Sequence, residues 1–238
     1  MKKGEITTVL FDLDGTLLPM DQEIFAKAYI GGLAGLAGTL GCDAKMLASA
    51  IMAGTVAMTK NDGKRTNEEV FWDTLVGMCG EEARGDMTVY GEFYKTEFQN
   101  VRNVCGFSPK AREVLDLLKS KGMRTALATN PLFPTMATES RIRWAGLSVD
   151  DFELYTSYET SHYCKPSLDY YREILDRLSL NAEECLMVGN DVGEDMVARE
   201  LGMKVFLLTD CMINRKNEDI SVYPHGNFDE LIAFLEKI

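Results

Sequence analysis

Two closely spaced aspartates follow the first apolar run of the chain. Asp12 and Asp14 come directly after the run Ile6 to Phe11. In an extended chain the intervening Leu13 points away, so both carboxylates lie on one side. Such close like charges are well tolerated only when a divalent cation or a shared proton offsets them. Gly15 then allows a tight turn. Taken alone, the segment is equally compatible with ordinary Asp-Gly turn chemistry.

Three later polar segments could take part in the same chemistry. Thr129 and Asn130 follow an apolar run and precede a helix, where a hydroxyl and backbone N–H groups can hold a phosphoryl oxygen. Thr129 could equally be a neighbour of a helix cap. Lys165 precedes another helix and supplies a cation, although an exposed lysine alone indicates nothing. The acidic loop Gly189 to Asp195 offers oxygen ligands of the kind that Mg²⁺ prefers, or is a solvated turn.

The elements that must position these residues alternate between strand and helix. Short apolar runs predict buried strands, and segments with helical spacing lie between the later ones. The strands are predicted at Ile6–Phe11, Met123–Ala128, Cys185–Val188 and Met203–Leu208, and the helices at Pro109–Lys121, Phe133–Trp144, Ser167–Leu178 and Gly193–Leu201. This order predicts an α/β fold, a Rossmann-like doubly wound parallel sheet with helices on both faces. In such a sheet, ligands bind at the carboxyl ends of the strands.

The segment 20–103 breaks this alternation, because it has helical spacing and no convincing strand. It predicts a bundle of four or five helices inserted after the first strand. The predicted domains are therefore a core of residues 1–19 and 104–238 and an all-helical insertion of residues 20–103. The glycine-rich tract Gly31–Gly41 lacks the ending of a nucleotide-binding loop and does not follow a strand, so that interpretation is not favoured.

Composition excludes several classes of function. The net charge of −12 opposes binding to nucleic acid, which requires a basic surface. No apolar run approaches the roughly 20 residues that cross a bilayer, and the N-terminal residues show no export signal. The six cysteines contain no C-x-x-C pair, which disfavours a zinc ribbon or a dithiol motif. We expect a cytoplasmic protein with free thiols, no nucleic-acid or membrane partner, and a monomeric or weakly dimeric state.

Together and in this order, the four polar segments resemble the motifs of the haloacid dehalogenase-like hydrolase superfamily. The correspondence covers the chain from the first strand to about Leu208. The D-x-D-G-T motif is matched by Asp12, Asp14, Gly15 and Thr16, the threonine by Thr129, the lysine of K-P-x-x-x-Y by Lys165 with Tyr170, and the acidic motif by Gly189–Asp195. The resemblance also implies that the helical insertion is the cap found between the first two motifs in one class of the family.

The resemblance implies roles for these residues. Asp12 would be the nucleophile, Asp14 the proton donor and acceptor, and Thr129 and Lys165 would complete the catalytic set. Phosphate would be bound by Asp12, Gly15, Thr129, Asn130 and Lys165, and Mg²⁺ by Asp12, Asp14, Asn190 and Asp191. Many relatives have aspartate where this chain has Asn190, so Asp191 is the preferred ligand and Asn190 a further one. Asp195 would contact the metal ligands without binding the ion itself, or would hold Lys165 in place.

The implied function is a Mg²⁺-dependent phosphatase that hydrolyses a small phosphorylated metabolite through a phospho-aspartate. Asp14 disfavours a dehalogenase, because a departing halide needs no proton. A phosphomutase of the beta-phosphoglucomutase kind is an alternative, since the phosphoryl group could pass to a sugar hydroxyl instead of water. A non-catalytic metabolite-binding or protein-binding module on the same fold is another.

A polar loop in the insertion, Lys60 to Asn67, resembles the specificity loop that related caps present to the active site. Lys64 and Arg65 would then contact an anionic or hydroxyl-rich leaving group. The alternative is an ordinary solvated loop.

Overall fold

A five-stranded parallel sheet forms the centre of the molecule. The computed structural model describes residues 5–41, 43–84 and 87–238. Residues 1–4 of the predicted core and residues 42 (Cys42), 85 and 86 of the predicted insertion lie outside this description. The strands are β1 (Thr8–Phe11), β2 (Arg124–Leu127), β3 (Cys185–Gly189), β4 (Lys204–Leu208) and β5 (His225–Gly226), in the order β2-β1-β3-β4-β5. Every neighbouring pair is parallel, which confirms the predicted fold class.

The described residues form helices between and after the strands. Those between β1 and β2 are α1 (Gln22–Ala34), α2 (Ala44–Thr59), α3 (Asn67–Cys79), α4 (Met87–Lys95), α5 (Glu97–Asn100) and α6 (Lys110–Ser120); those that follow are α7 (Thr135–Trp144), α8 (Leu168–Leu178) and α9 (Phe228–Glu236). Short 3₁₀ turns occupy Glu81–Arg84, Val101–Val104, Val149–Asp151, Ala182–Glu184, Met196–Leu201 and Ile220–Val222. No helix in the described ranges has the length and apolarity needed to cross a membrane.

Strand β1 is buried on both faces, as expected for a central strand of a parallel sheet. Val9 and Phe11 belong to a core cluster that includes side chains of α6 and α9. Leu10, between them, belongs to a second cluster that includes side chains of α8. The alternation of the strand therefore distributes its side chains between two helical layers and fixes Asp12 at its carboxyl end.

One predicted helix is shorter and tighter in the structure. The segment 193–201 forms a turn followed by the 3₁₀ turn Met196–Leu201. The carboxylate of Asp191 accepts the N–H groups of Gly193 and Glu194, so these groups are held by a side chain at the start of the segment. Strand β5 and helix α9 were not predicted, and a two-residue strand is too short to give a sequence pattern.

The helical insertion, residues 20–103, is connected to the sheet by two crossings that lie side by side. Met20 and Cys105 form an antiparallel bridge, and the N–H of Gly106 donates to the carbonyl of Pro19 at 2.7 Å. Within the insertion, α1 packs on α2 and α2 on α3. Asn67, at the start of α3, is fully buried and donates to the carbonyls of Pro131 and Tyr163. The insertion therefore contacts the segments that carry Asn130 and Lys165.

Candidate active site

Asp12 stands where the central strand ends. Its backbone N–H donates to the carbonyl of Val188 at 2.9 Å, so the pairing of β1 with β3 continues to this residue. The residue is 6% exposed. One carboxylate oxygen accepts from Nζ of Lys165 at 2.9 Å, and the other lies 3.1 Å from the hydroxyl of Thr16. The carboxylate is therefore buried, oriented and paired with a cation.

Lys165 bridges two buried carboxylates. Its ammonium group lies 2.9 Å from Oδ1 of Asp12 and 2.6 Å from Oδ1 of Asp195. Burial alone would lower the pKa of Lys165, but the charges of Asp12 and Asp195 outweigh it and raise this pKa well above its usual value. The two carboxylates thus favour the charged form of Lys165 beside Asp12.

Asp195 is fixed by the loop that follows β3. Its second oxygen accepts the backbone N–H of Asp191 at 2.9 Å. It also lies against Gly189, where a Cβ atom would be 2.1 Å from Oδ2 of Asp195. The glycine at the end of β3 therefore makes room for the carboxylate that anchors Lys165.

Gly15 and Asn190 meet beside Asp12. Gly15 has a φ of +89°, and a Cβ atom there would lie 2.3 Å from Nδ2 of Asn190. The amide group of Asn190 donates to the carbonyl of Cys211 at 2.7 Å, and its Oδ1 lies 3.0 Å from the Thr16 hydroxyl. Oδ1 of Asn190 and Oδ2 of Asp12 thus face the same hydroxyl. The N–H of Gly15 donates to a carbonyl within its own turn.

Asp14 lies next to the nucleophile candidate in a different environment. Its Oδ2 accepts a hydrogen bond from Nη1 of Arg141, while its buried Oδ1 has no hydrogen-bond partner among the described residues. Burial raises the pKa of Asp14 to about 6; Arg141 opposes this shift and Asp12 adds to it. A carboxyl with that pKa can hold a proton near neutral pH and has one oxygen available to deliver it.

Arg141 was not predicted from the sequence. It lies in α7, is fully buried, and also donates to Oγ1 of Thr138 at 3.1 Å. Its guanidinium carbon lies 4.2 Å from the centroid of the Phe133 ring. The sequence did hint at a buried ion pair, because a helix face that packs against a core rarely includes an arginine without a charged partner. The sequence did not indicate which carboxylate that partner would be.

Thr129 and Asn130 follow β2 and join the loops around the site. Thr129 is buried, and its carbonyl accepts from the hydroxyls of Thr156 at 2.6 Å and Tyr170 at 2.8 Å. The Asn130 side chain donates to Glu194 at 3.0 Å and accepts the backbone N–H of Lys165 at 3.3 Å. The predicted threonine, asparagine and lysine are therefore brought to one edge of the sheet.

Asp191 has a positively charged neighbour that was also not predicted. Its Oδ2 lies 2.5 Å from Nη1 of Arg215, a largely exposed side chain. Another nitrogen of Arg215 lies 3.4 Å from the Gln22 side chain, whose amide in turn lies 3.4 Å from the backbone carbonyl of Asp14. Arg215 and Gln22 thus border the space between Asp191 and Asp14.

Lys64 and Arg65 lie on the surface of the insertion. Lys64 pairs with Asp62 at 2.5 Å and Arg65 pairs with Asp73, and all four side chains are at least half exposed. The cavity beside Asp14 does not include Lys64 or Arg65 in its lining. Their contact with substrate remains a prediction.

The donor atoms fit a hard cation. The described residues contain no group of three or more His, Cys, Asp or Glu side chains placed to hold a metal ion. Magnesium needs fewer protein ligands than that, since proteins usually hold it by one or two carboxylates while it retains several waters. Asp12 and Asp191 supply carboxylates, Asn190 an amide oxygen and Asp14 a backbone carbonyl near the same strand ends. The oxygen-only set suits Mg²⁺ better than a metal that prefers sulfur or imidazole.

A cavity of about 340 Å³ adjoins this site. Its lining includes Asp14, Asn130 and Glu194 from the sheet edge, together with many residues of the helical insertion. The site at the strand ends therefore continues into a space between the sheet and the insertion.

Comparison with known proteins identifies the family. Residues 6–202 match the haloacid dehalogenase-like hydrolase family, and the chain belongs to it. This confirms both the resemblance seen in the motifs and the expectation of a hydrolase.

The chain is 28% identical to the ribulose-1,5-bisphosphate 5-phosphatase of Halopiger xanaduensis over 247 aligned positions, which cover 95% of this chain and 99% of the relative. Similar solved structures include a HAD phosphatase from Thermococcus onnurineus, with TM-score 0.62, 18% identity and coverage of 97% and 98% of the two chains. A 2-haloacid dehalogenase from Pseudomonas syringae has TM-score 0.61, 20% identity and coverage of 98% and 99%. The two structural similarities concern the fold.

Proposed function

We propose that this protein is a Mg²⁺-dependent phosphatase that hydrolyses a small phosphate monoester through a phospho-aspartate on Asp12. The observation that carries the proposal is the contrast between the environments of two neighbouring aspartates. Asp12 is a buried carboxylate held by Lys165, whereas Asp14 has a raised pKa and an unpartnered oxygen. The first environment suits a nucleophile and the second an acid. The full-length similarity to a sugar-bisphosphate phosphatase supports the same class of reaction.

The first half-reaction transfers the phosphoryl group to Asp12. A carboxylate oxygen of Asp12 attacks phosphorus, the ester bond breaks, and the leaving alkoxide takes the proton of Asp14. Lys165 offsets negative charge on Asp12 and on the transferring group, and Thr129 and Asn130 border the place where the phosphoryl oxygens would lie.

The second half-reaction restores the enzyme. Water gives a proton to the now ionised Asp14 and attacks phosphorus, which releases inorganic phosphate and the Asp12 carboxylate. Mg²⁺, when bound by Asp12, the Asp14 carbonyl and Asn190 or Asp191, would supply further positive charge against the phosphoryl group. The helical insertion would act as the cap that excludes bulk water from the acyl phosphate.

The test measures phosphate release from p-nitrophenyl phosphate across a Mg²⁺ titration. We expect metal-dependent turnover by the wild-type protein and none by Asp12→Asn. Hydroxylamine trapping during turnover should label Asp12 as its hydroxamate, located by peptide mass spectrometry. Metal-dependent turnover that survives in Asp12→Asn would exclude Asp12 as the nucleophile. Transfer to added sugar hydroxyls faster than to water would indicate a mutase.

A further inference from the structure

The cavity beside Asp14 has walls that are mostly hydrocarbon. Aliphatic and aromatic side chains from α1, α2, α3 and α4 form most of its lining, together with the segments 130–136 and 158–159. Among the most buried of them are Phe25, Leu33, Ile51, Trp72, Leu75 and Tyr94. Its volume lies near the lower end of the 300–1,000 Å³ that is usual for small-ligand sites. The space suits a compact apolar group.

All charged side chains that line the cavity are acidic. They are Asp14, Glu68, Glu159 and Glu194, and the described lining contains no lysine, arginine or histidine. Arg141, which lies nearby, is already bound to Asp14. A second phosphate group here would lose its hydration without gaining a cation and would face these carboxylates, which is strongly unfavourable.

Four of the five hydroxyl groups in the described lining, those of Tyr29, Thr55, Tyr90 and Tyr94, are already engaged within the protein. The phenolic oxygens of Tyr29 and Tyr94 lie 2.7 Å apart and bond to each other. The Tyr90 hydroxyl donates to a backbone carbonyl at 2.6 Å, and the Thr55 hydroxyl donates to another at 2.9 Å. A site that recognises a sugar needs donors and acceptors directed at the ligand. These four groups are directed at the protein instead, and the buried Nε1 of Trp72 is a lining donor that has no hydrogen-bond partner among the described residues. The lining can therefore offer a ligand few directed polar contacts, fewer than a sugar needs.

On the basis of the phosphatase function proposed above, we infer that the substrate is a monophosphate ester of an uncharged, predominantly apolar alcohol. The alcohol portion occupies the cavity between α1, α2, α3 and α4, and its ester oxygen lies beside Asp14. This substrate class differs from the bisphosphorylated sugar named for the Halopiger xanaduensis relative. Residues of the insertion thus select the leaving group by shape, by apolar contact and by exclusion of negative charge.

The first test compares kcat/KM for 2-phenylethyl phosphate, ribulose 1,5-bisphosphate and phosphocholine, with acetyl phosphate as a small reference. We expect kcat/KM for 2-phenylethyl phosphate to exceed that for the bisphosphate by about 100-fold. The cavity would bury the aromatic group favourably and would exclude the second, charged phosphate group. Equal or better turnover of the bisphosphate would overturn the inference, and so would a preference for the cationic phosphocholine.

A binding measurement separates this inference from the proposed activity. Calorimetry of 2-phenylethyl phosphonate, which cannot be hydrolysed, should show binding at least tenfold tighter than methyl phosphonate. If acetyl phosphate is not hydrolysed but this ratio holds, the proposed activity fails while the binding class stands. If acetyl phosphate is hydrolysed and the two phosphonates bind equally, the inference fails while the activity stands.

Two helical glycines provide a matched pair of variants. Gly91 lines the cavity and Gly77 does not, and a Cβ atom at either position meets no atom within 4 Å. Gly91→Leu should fill part of the cavity and lower the ratio of kcat/KM for 2-phenylethyl phosphate over acetyl phosphate by about tenfold. Gly77→Leu should leave this ratio unchanged. The same ratio in both variants would place the alcohol portion outside the cavity.

Discussion

The guanidinium group of Arg141 donates a hydrogen bond to the carboxylate of Asp14, 127 positions earlier in the chain. Arg141 is fully buried, and Asp14 is the residue that we propose donates a proton to the leaving group. Burial raises that pKa and Arg141 restrains the rise. In the proposed mechanism, the pair would therefore set the pH range in which Asp14 acts as an acid.

Removing the charge of Arg141 should move the pH profile. Asp14 must be protonated to donate, so kcat/KM for an alkyl phosphate should fall as pH rises above about 6 in the wild-type protein. In Arg141→Gln the opposing positive charge is lost, the pKa of Asp14 rises further, and the decline should begin at higher pH. The measurement is kcat/KM between pH 5 and 9. Arg143→Gln, at a largely exposed position two residues on, is the control and should keep the wild-type profile.

Asp14→Asn should separate substrates by leaving group. An alkoxide needs a proton as it departs, so kcat/KM for an alkyl phosphate should fall by about 10² to 10⁴. The p-nitrophenolate ion leaves without one, so the loss with p-nitrophenyl phosphate should be less than about tenfold. Comparison of kcat/KM is appropriate because it reports steps up to formation of the phospho-aspartate. Equal losses on both substrates would show that Asp14 does not deliver the proton.

Gly189→Ala should disturb the anchor of Lys165. A Cβ atom at this position would lie 2.1 Å from Oδ2 of Asp195, so the carboxylate must move. We expect a loss of about 1–3 kcal/mol in the free energy of unfolding and a marked loss of activity. Gly193→Ala is the matched control in the same loop, because its Cβ would make an ordinary contact of 3.5 Å with Asp191. Urea unfolding measures the loss of stability, and phosphate release measures the loss of activity. A fully active Gly189→Ala variant would show that Asp195 can move without loss of catalysis.

The alternation of apolar runs and helical segments was enough to predict the fold. Strand β1 has four buried residues in succession, which is the pattern of a central parallel strand. The polar residues that follow β1, β2 and β3 could be assigned to one edge because parallel strands end together. Asp12, Thr129 and the loop after Gly189 meet there for that topological reason.

The partners of these residues could not be predicted in the same way. The pairing of Arg141 with Asp14 depends on how α7 is rotated against the sheet, and the pairing of Arg215 with Asp191 depends on the path of an irregular segment. Neither of these two pairings produces a periodic pattern in the sequence. The acidic, apolar cavity likewise arises from side chains on four helices, whose relative placement is set by packing and not by local spacing.

Arg215 provides a prediction about metal affinity. Its guanidinium lies 2.5 Å from Oδ2 of Asp191, the carboxylate preferred from the sequence as a Mg²⁺ ligand. The guanidinium and the ion would compete for the same negative charge. Because Arg215 is about 61% exposed, its ion pair contributes only about 0.2–1 kcal/mol. Arg215→Ala should therefore lower the Mg²⁺ concentration for half-maximal activity by roughly two- to fivefold.

The exposed neighbour Lys216 supplies the control for this experiment, since Lys216→Ala removes the same unit of charge from the surface at the next position. A shift in Mg²⁺ dependence shared by both variants would indicate a general effect of surface charge. A shift confined to Arg215→Ala would locate the competition at Asp191. A higher Mg²⁺ requirement in Arg215→Ala would instead mean that Arg215 holds Asp191 in its binding orientation. An unchanged Mg²⁺ requirement in both variants would mean that Asp191 does not bind the ion directly, and Asn190, whose Oδ1 faces the same hydroxyl as Asp12, would then be the better candidate for the direct ligand.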